Sequence, residues 1–396
     1  MKLKKKVAIV FGTRPEAVKL APVIIELKKH EDKIDTLVVV TAQHREMLDQ
    51  VLNLFEIVPD RDLDIMEKNQ TLTRITVKAL EGLEKIFIEE KVDLVITQGD
   101  TTTSFVAALA AFYQKIAVGH VEAGLRTDNK YDPYPEEMNR RLITVLGDLN
   151  FAPTSLAVEN LRKSGVSDDT IFLTGNTVID ALLHIANRED SVIPPEIRSK
   201  IIPGKRILLV EAHRRENLGK PMENICRALL SLVNDFPDTQ LIFSVHRNPK
   251  VRDTVFPMLR DKERITLLEP VDYPVLLSLM KKSYLVLTDS GGIQEEGPSL
   301  GKPVLVMRKT TERPEGVDAG TAKLVGVETE NIYKSASELL TDSAAYEKMA
   351  HTANPYGDGQ ASRRTAEAIL YNFGFRDERP DEFGTKLFHS TVGGVS

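Results

Sequence analysis

With 396 residues, 42% of them hydrophobic, the chain can bury large cores and is expected to form two domains rather than one. Its net charge of −6, from 52 basic and 58 acidic residues with no basic block beyond Lys4-Lys5-Lys6, argues against a nucleic-acid surface. The lone Cys226 excludes an intramolecular disulfide and a cysteine-based zinc site, and no apolar run approaches the roughly 20 residues of a membrane span, so a cytoplasmic protein that is not a membrane partner is expected.

Val7 to Phe11 is a short continuous apolar run, the pattern of a parallel strand buried on both faces. It breaks at Gly12-Thr13-Arg14-Pro15-Glu16 and a helical pattern follows. The turn lacks G-x-G-x-x-G, so no dinucleotide cofactor is expected. It offers instead Arg14 and Lys19, two cations around a helix start, which suit a diphosphate. Leu37 to Thr41 predicts a second strand leading into Gln43-His44, and a helical pattern covers Thr71 to Glu89. Leu94 to Thr97 is a third strand, running into Gln98-Gly99-Asp100; Ile116 to Val121 is a fourth, ending at Glu122. A proline-stiffened loop from Tyr131 then delivers Glu136 at the start of a helix. Each polar cluster falls at the carboxyl end of a predicted strand, the edge where open α/β sheets bind ligands. Asp100, Glu122 and Glu136 therefore point to general acid–base work; the plainer alternative makes them a helix cap, a solvated carboxylate and an ordinary first-turn residue.

Leu149 to Ala152 is expected to be the last strand of the first half, with the crossing to the second half within Asp168 to Ile179. Arg206 to Val210 opens the second half and ends at Glu211-Ala212-His213-Arg214-Arg215, where His213 sits as a candidate phosphate donor. Strands follow at Leu241–Ser244 and Ile265–Leu268, then an apolar helix at Val275–Met280. The strand Tyr284–Thr288 ends abruptly in Asp289-Ser290-Gly291-Gly292, and a helix carries Gln294, Glu295 and Glu296 away from it. Two glycines at such a turn let the backbone approach a ligand closely and can take φ > 0 at little cost. The new helix start favours an anion, and Glu296, one turn on, is placed to accept from a ribose. Arg313 lies on the loop after the next strand, in reach of the same ligand. No ligand spacing predicts a metal, and His120, on an apolar strand, is expected to be packed. The expected domains are 1–175 and 176–360, with a helix at about 361–376 packing back on the first and a loosely held tail from 377 to 396.

FGTRPEAVKLAPV (Phe11 to Val23), QGDTTT (Gln98 to Thr103), HVEAGLRT (His120 to Thr127), PEEMNR (Pro135 to Arg140), HRRENLG (His213 to Gly219) and DSGGIQEE…GKPVLVMR…TERPE (Asp289 to Glu315) together resemble the non-hydrolysing UDP-N-acetylglucosamine 2-epimerases. The resemblance runs from about Val7 to Tyr371. It implies an α/β fold with two Rossmann-like domains facing a deep cleft, of the glycosyltransferase-B type, and a cytoplasmic homodimer without cofactor or metal. The reaction implied interconverts UDP-GlcNAc and UDP-ManNAc by elimination of UDP to a 2-acetamidoglucal and re-addition, in supply of surface polysaccharides. Carried onto this sequence, Asp100, Glu122, Glu136 and His213 resemble the catalytic set. Arg14, Lys19, Leu276, Ser290, Gly291, Gly292, Glu296 and Arg313 resemble contacts to the UDP-sugar. Gln43 and His44 resemble part of a second, activating UDP-GlcNAc site. The sequence departs from the pattern at Glu46 (commonly glutamine), Asn69 (commonly arginine), Leu276 (often an aromatic beside the uracil) and Glu211 (usually a small hydroxyl residue). A hydrolysing epimerase, a retaining glycosyltransferase and a non-catalytic nucleotide-sugar sensor are the alternatives.

Overall fold

The computed structural model describes residues 3–42, 45–67, 71–127, 129–131, 133–186 and 193–384, with the backbone alone for 45–47. The chain forms two compact units, Met1–Ala181 with Gly357–Ser396 and Leu182–Tyr356. The first runs through β1 (Lys5–Phe11), α1 (Arg14–Lys28), β2 (Ile34–Val40), α2 (Arg45–Leu54), β3 (Arg61–Asp62), α3 (Leu72–Glu90), β4 (Leu94–Gln98), α4 (Thr102–Tyr113), β5 (Ala117–Val121), α5 (Glu136–Leu146), β6 (Leu149–Ala152), α6 (Ser155–Lys163), β7 (Ile171–Leu173) and into α7 (Thr177–Ala186). The second contains α8 (Pro195–Arg198), β8 (Arg206–Glu211), α9 (Lys220–Asp235), β9 (Thr239–Ser244), α10 (Pro249–Leu259), β10 (Ile265–Leu268), α11 (Tyr273–Lys282), β11 (Leu285–Thr288), α12 (Gly291–Ser299), β12 (Val304–Val306), α13 (Pro314–Ala319), β13 (Ala322–Leu324), α14 (Thr329–Thr341) and α15 (Ser343–Ala350). Finally α16 (Ala361–Asn372) returns to the first unit, where it packs on α1.

Both sheets are wholly parallel, in the orders β3-β2-β1-β4-β5-β6-β7 and β10-β9-β8-β11-β12-β13. Helices cover both faces of such a sheet, which is why its strands read as unbroken apolar runs rather than alternating ones. Ala8, Val10, Val95, Val106, Ala107 and Phe87 fill the core of the first unit. Leu208, Val210, Ile225, Leu287 and Leu305 fill that of the second, together with Cys226, whose thiol burial pushes up to about 12. In each order the connection reverses direction once, between β1 and β4 and between β8 and β11. The loops leaving those strands part there and open a crevice.

Three expectations need correction. The last strand of the first half is β7, not β6; it pairs Asn150 with Ile171 and Ala152 with Leu173. The chain leaves the first unit later than expected, within α7, because Asn176 and Asp180 are tied into that unit. Asp180 accepts from the backbone N–H of Ala361 at 3.2 Å and of Ser362 at 2.8 Å. The segment from 377 to 384 is not loose. Arg379 donates to Ile171 O at 2.6 Å and lies over the Phe172 ring, and Phe383 N donates to Leu173 O at 2.9 Å. Asp381 pairs with Arg363 at 2.7 Å and with the buried Arg364 at 3.3 Å. Residues 385–396 lie outside the described residues.

Candidate active site

In the first unit, the loops after β1, β4 and β5 meet at the switch point. Glu16 joins two of them without a cation. One oxygen accepts from Thr13 N–H and hydroxyl, both at 2.7 Å, completing a capping box for α1; the other accepts from the Thr101 and Ser104 hydroxyls, both at 2.7 Å. Thr101, not Asp100, caps α4, accepting from Ser104 N at 3.1 Å. Asp100 is thereby left for other work. Its Oδ2 takes the Arg140 guanidinium at 2.6 Å and its backbone carbonyl takes the Asn139 side chain at 2.9 Å. Its Oδ1 has no hydrogen bond among the described residues. Burial pushes the Asp100 carboxyl above its ordinary range, Arg140 and Lys19 pull it back, and Glu122 and Glu136 push it up further.

Glu122 follows β5 in the left-handed region, with φ 64°. That conformation costs a non-glycine residue free energy and persists because the carboxylate is held from several sides. Lys19 Nζ lies 2.6 Å from both oxygens, the Asn176 amide donates at 3.2 Å, and the Gln98 amide donates to Oε2. Glu136 opens α5, half-buried and without a hydrogen-bond partner among the described residues. Its neighbour Glu137 is fully buried and structural, pairing with Arg141 at 2.6 Å and accepting from Thr127 N at 3.1 Å. His120 is packed as expected: Nε2 lies 2.7 Å from Gly99 O and burial pushes the ring down to about 4. Arg14 is exposed at the first turn of α1, while Lys19 is committed to Glu122 rather than standing as a bare surface cation.

The switch point of the second unit is built on Asp289. Wholly buried, it accepts from the backbone N–H of His213 at 3.0 Å and of Arg214 at 2.9 Å, and from the Asn217 amide at 2.9 Å. It thus folds the turn after β8 onto the end of β11. His213 Nδ1 lies 2.6 Å from Glu211 Oε1, an ion-pair contact rather than an aligned hydrogen bond. The Glu211 carboxylate raises the imidazole above its usual range against the opposing effect of burial. Ser290 precedes α12, whose first residues are Gly291 and Gly292 in helical conformation. Neither takes a positive φ. A Cβ at Gly291 would stand 2.8 Å from Glu312 Oε1, the tip of a side chain that is 40% exposed and can swing aside, so space alone does not demand glycine there. Glu296, buried on α12, accepts from the Tyr273 hydroxyl at 2.9 Å. Arg313 pairs with Glu295, and Leu276 is half-buried on α11.

Among the described residues, Glu211, His213 and Asp289 are the one group that brings metal-ligand atom types together, within 4.8 Å. Asp289 already accepts from two backbone N–H groups and an amide there, and Glu211 faces the imidazole, so the set is organised as an ion pair.

A family model described as UDP-N-acetylglucosamine 2-epimerase matches residues 25–370. The UDP-N-acetylglucosamine 2-epimerase of Bacillus subtilis (strain 168) is 54% identical over 383 residues, covering 97% of this chain and all of the relative. The chain belongs to the UDP-N-acetylglucosamine 2-epimerase family. A crystal structure of the UDP-GlcNAc 2-epimerase from Neisseria meningitidis bound to UDP-GlcNAc has a TM-score of 0.80 at 50% identity, covering 93% of this chain and all of that one. A structure of the glycotransferase of kitacinnamycin, 12% identical, shares the fold with a TM-score of 0.63 over 94% of this chain and 99% of that one. The α/β architecture of two Rossmann-like, glycosyltransferase-B-type units thus holds for this member of the epimerase family. Gln43, His44 and Asn69, singled out for a second nucleotide-sugar site, lie outside the described residues, as does the side chain of Glu46.

Within this family frame, the structure brings Asp100, Glu122, Glu136 and Lys19 together in the first unit, and His213, Ser290, Gly291, Glu296 and Arg313 onto the strand-end loops and helices of the second. Arg140, Gln98 and Asn176, the groups that hold the carboxylates, are not singled out by the sequence. Arg140 lies in the PEEMNR motif, but its partner Asp100 is 40 residues away, and no local spacing marks that pair.

Proposed function

We propose that the chain interconverts UDP-GlcNAc and UDP-ManNAc without net hydrolysis, by elimination and re-addition of UDP. The carrying observation is the contrast among the carboxylates: Glu122 is clamped by Lys19, Gln98 and Asn176, while Asp100 and Glu136 keep oxygens free for protons. The C2–H bond of the sugar breaks as its proton passes to Asp100, and its electron pair forms the C1=C2 bond. The C1–O bond breaks at the same time, and UDP leaves with the electron pair of that C1–O bond. Return of a proton to the opposite face of C2, from Glu136, with attack of the diphosphate oxygen on C1, gives the epimer. Glu122 and Lys19 supply fixed charge beside the ring.

The second unit would hold the leaving group. Arg313 offers a cation, the first turn of α12 offers N–H groups past Ser290, Gly291 and Gly292, Glu296 accepts from the ribose, and Leu276 borders the base; Arg14, on α1 of the first unit, is a further candidate contact to the diphosphate. His213 donates to the diphosphate as negative charge gathers on it. Donors aimed at that developing charge stabilise the transition state more than the ground state. We place the reaction in the cytoplasm, where its product would serve surface-polysaccharide synthesis.

Phosphorus NMR of the enzyme with UDP-GlcNAc tests the non-hydrolytic outcome. The expected spectrum shows two nucleotide-sugar diphosphates at equilibrium with no growing UDP signal. Steady accumulation of UDP with free ManNAc would assign the chain to the hydrolysing reaction instead.

A further inference from the structure

His213 is held by more than its backbone. Asp289 fixes its N–H from the end of β11, His246 stacks on its ring with centroids 5.0 Å apart and planes at 18°, and Glu211, the last residue of β8, meets Nδ1 at 2.6 Å. His246 Nδ1 accepts from Asn248 N at 3.0 Å, so that ring is itself fixed. Glu211 is in turn locked in register: β8 pairs Glu211 with Thr288, Asp289 N donates to its carbonyl at 3.3 Å, and the Thr288 hydroxyl reaches its Oε2 at 3.5 Å. Its side chain is 17% exposed, so the charge acts at short range with little solvent between it and the imidazole.

We propose that Glu211 is a positioning residue: by facing Nδ1 it turns the His213 ring so that Nε2–H of the imidazolium is the donor offered to the departing diphosphate. This rests on the reading of the chain as an epimerase. With Nδ1 turned to a carboxylate, the neutral ring would keep its proton there and leave Nε2 bare, so the donor is the imidazolium, held in one orientation and able to meet charge without reorganising. It also decides how long the ring keeps its proton. Glu211 and, at 4.0 Å, Asp289 favour the imidazolium, while the Arg214 cation and burial oppose it, and Glu211 is the largest of these influences. A small hydroxyl residue at 211, as the family resemblance leads one to expect, would orient the ring without that charge. This chain is therefore expected to hold its activity further into the alkaline range than a Glu211→Ser variant of itself.

The test follows the His213 imidazole by NMR in the full-length protein, assigned with His213→Gln, alongside pH profiles of kcat and kcat/KM. In Glu211→Gln, of nearly the same volume, the His213 titration and the alkaline limb of kcat/KM should both move down by about one pH unit, a typical effect of losing an adjacent opposite charge. The sign follows because the protonated ring is the active donor: once its proton is held less tightly, activity fails at lower pH. The loss should reach about tenfold on the alkaline side, in kcat more than in KM, and Glu211→Gln added to His213→Gln should cost nothing further. Superimposable titrations and profiles, or an additive double variant, would overturn the proposal. If the wild-type chain fails to epimerise UDP-GlcNAc, the epimerase reading falls. The His213 titration with and without UDP then still decides whether Glu211 governs the ring.

Discussion

Asp100→Asn is expected to lower kcat for epimerisation by about 10³-fold, in the middle of the range a general base contributes. The substitution keeps the shape of the side chain and removes its ability to take the C2 proton. Asn139 donates to the backbone carbonyl of residue 100, and Thr101 caps α4, so neither the loop nor the helix depends on the lost charge. Arg140, 2.6 Å away, loses its ion pair, and KM is free to change with it. Thermal unfolding should stay close to wild type. Exchange of the C2 proton should vanish together with turnover; exchange at the normal rate in this variant would remove Asp100 from the role of base. The same group sets the acid limb of the wild-type profile. Burial raises its carboxyl above the ordinary value of about 3.9, and a base works only when deprotonated. Activity is therefore expected to fall, as the pH drops, earlier than an unperturbed aspartate would allow.

Asp289→Ala is expected to have the second-largest effect, on stability and nucleotide affinity together. Its carboxylate is the acceptor for two backbone N–H groups and for the Asn217 amide, all in a buried turn. Alanine leaves those donors without it, and each unsatisfied buried group costs about 1–3 kcal/mol. Asn217 keeps one bond, to Met307 O at 2.9 Å, which limits the total. A loss of about 3–5 kcal/mol is therefore expected, read by urea denaturation of the second unit's transition. UDP should bind at least about tenfold more weakly, since roughly 1.4 kcal/mol of lost positioning at the turn suffices for that factor. An unchanged unfolding curve with unchanged UDP binding would show that the turn holds itself.

Much of this fold is legible in the chain because buried parallel strands leave a plain mark. Val7 to Phe11, Leu94 to Thr97 and Leu285 to Thr288 are continuous apolar runs, and each becomes a strand at the centre of a sheet. The edges are less legible. β3 is only Arg61 and Asp62, both exposed, with no apolar residue to betray it; β13 and β7 are three residues each. A short edge strand is defined by its neighbour's hydrogen bonds, which composition does not carry. At the candidate site, the strand-end rule brought Asp100 and Glu122 into view, because polar residues that interrupt an apolar run stand out. Their partners did not stand out. Lys19 and Glu122 meet across 103 residues of sequence, and Arg140 reaches back 40 residues to Asp100. Glu136 and Glu137 are adjacent and chemically alike, yet one stays half-buried with no partner among the described residues while the other is sealed between arginines and Thr127. Only the rotation of α5 against its neighbours separates them. The glycines that open α12 show the converse: their presence marks the turn, yet both lie in helical conformation and not in a left-handed turn.

In the elimination proposed above, the C2 proton leaves the sugar as UDP departs, and a solvent-derived proton returns to the opposite face. Proton NMR of UDP-GlcNAc incubated with the enzyme in D2O follows that exchange. Deuterium is expected at C2 of the UDP-ManNAc formed, and then of the UDP-GlcNAc recovered at equilibrium, with the nucleotide sugars intact. UDP-ManNAc formed with protium retained at C2 would contradict that elimination.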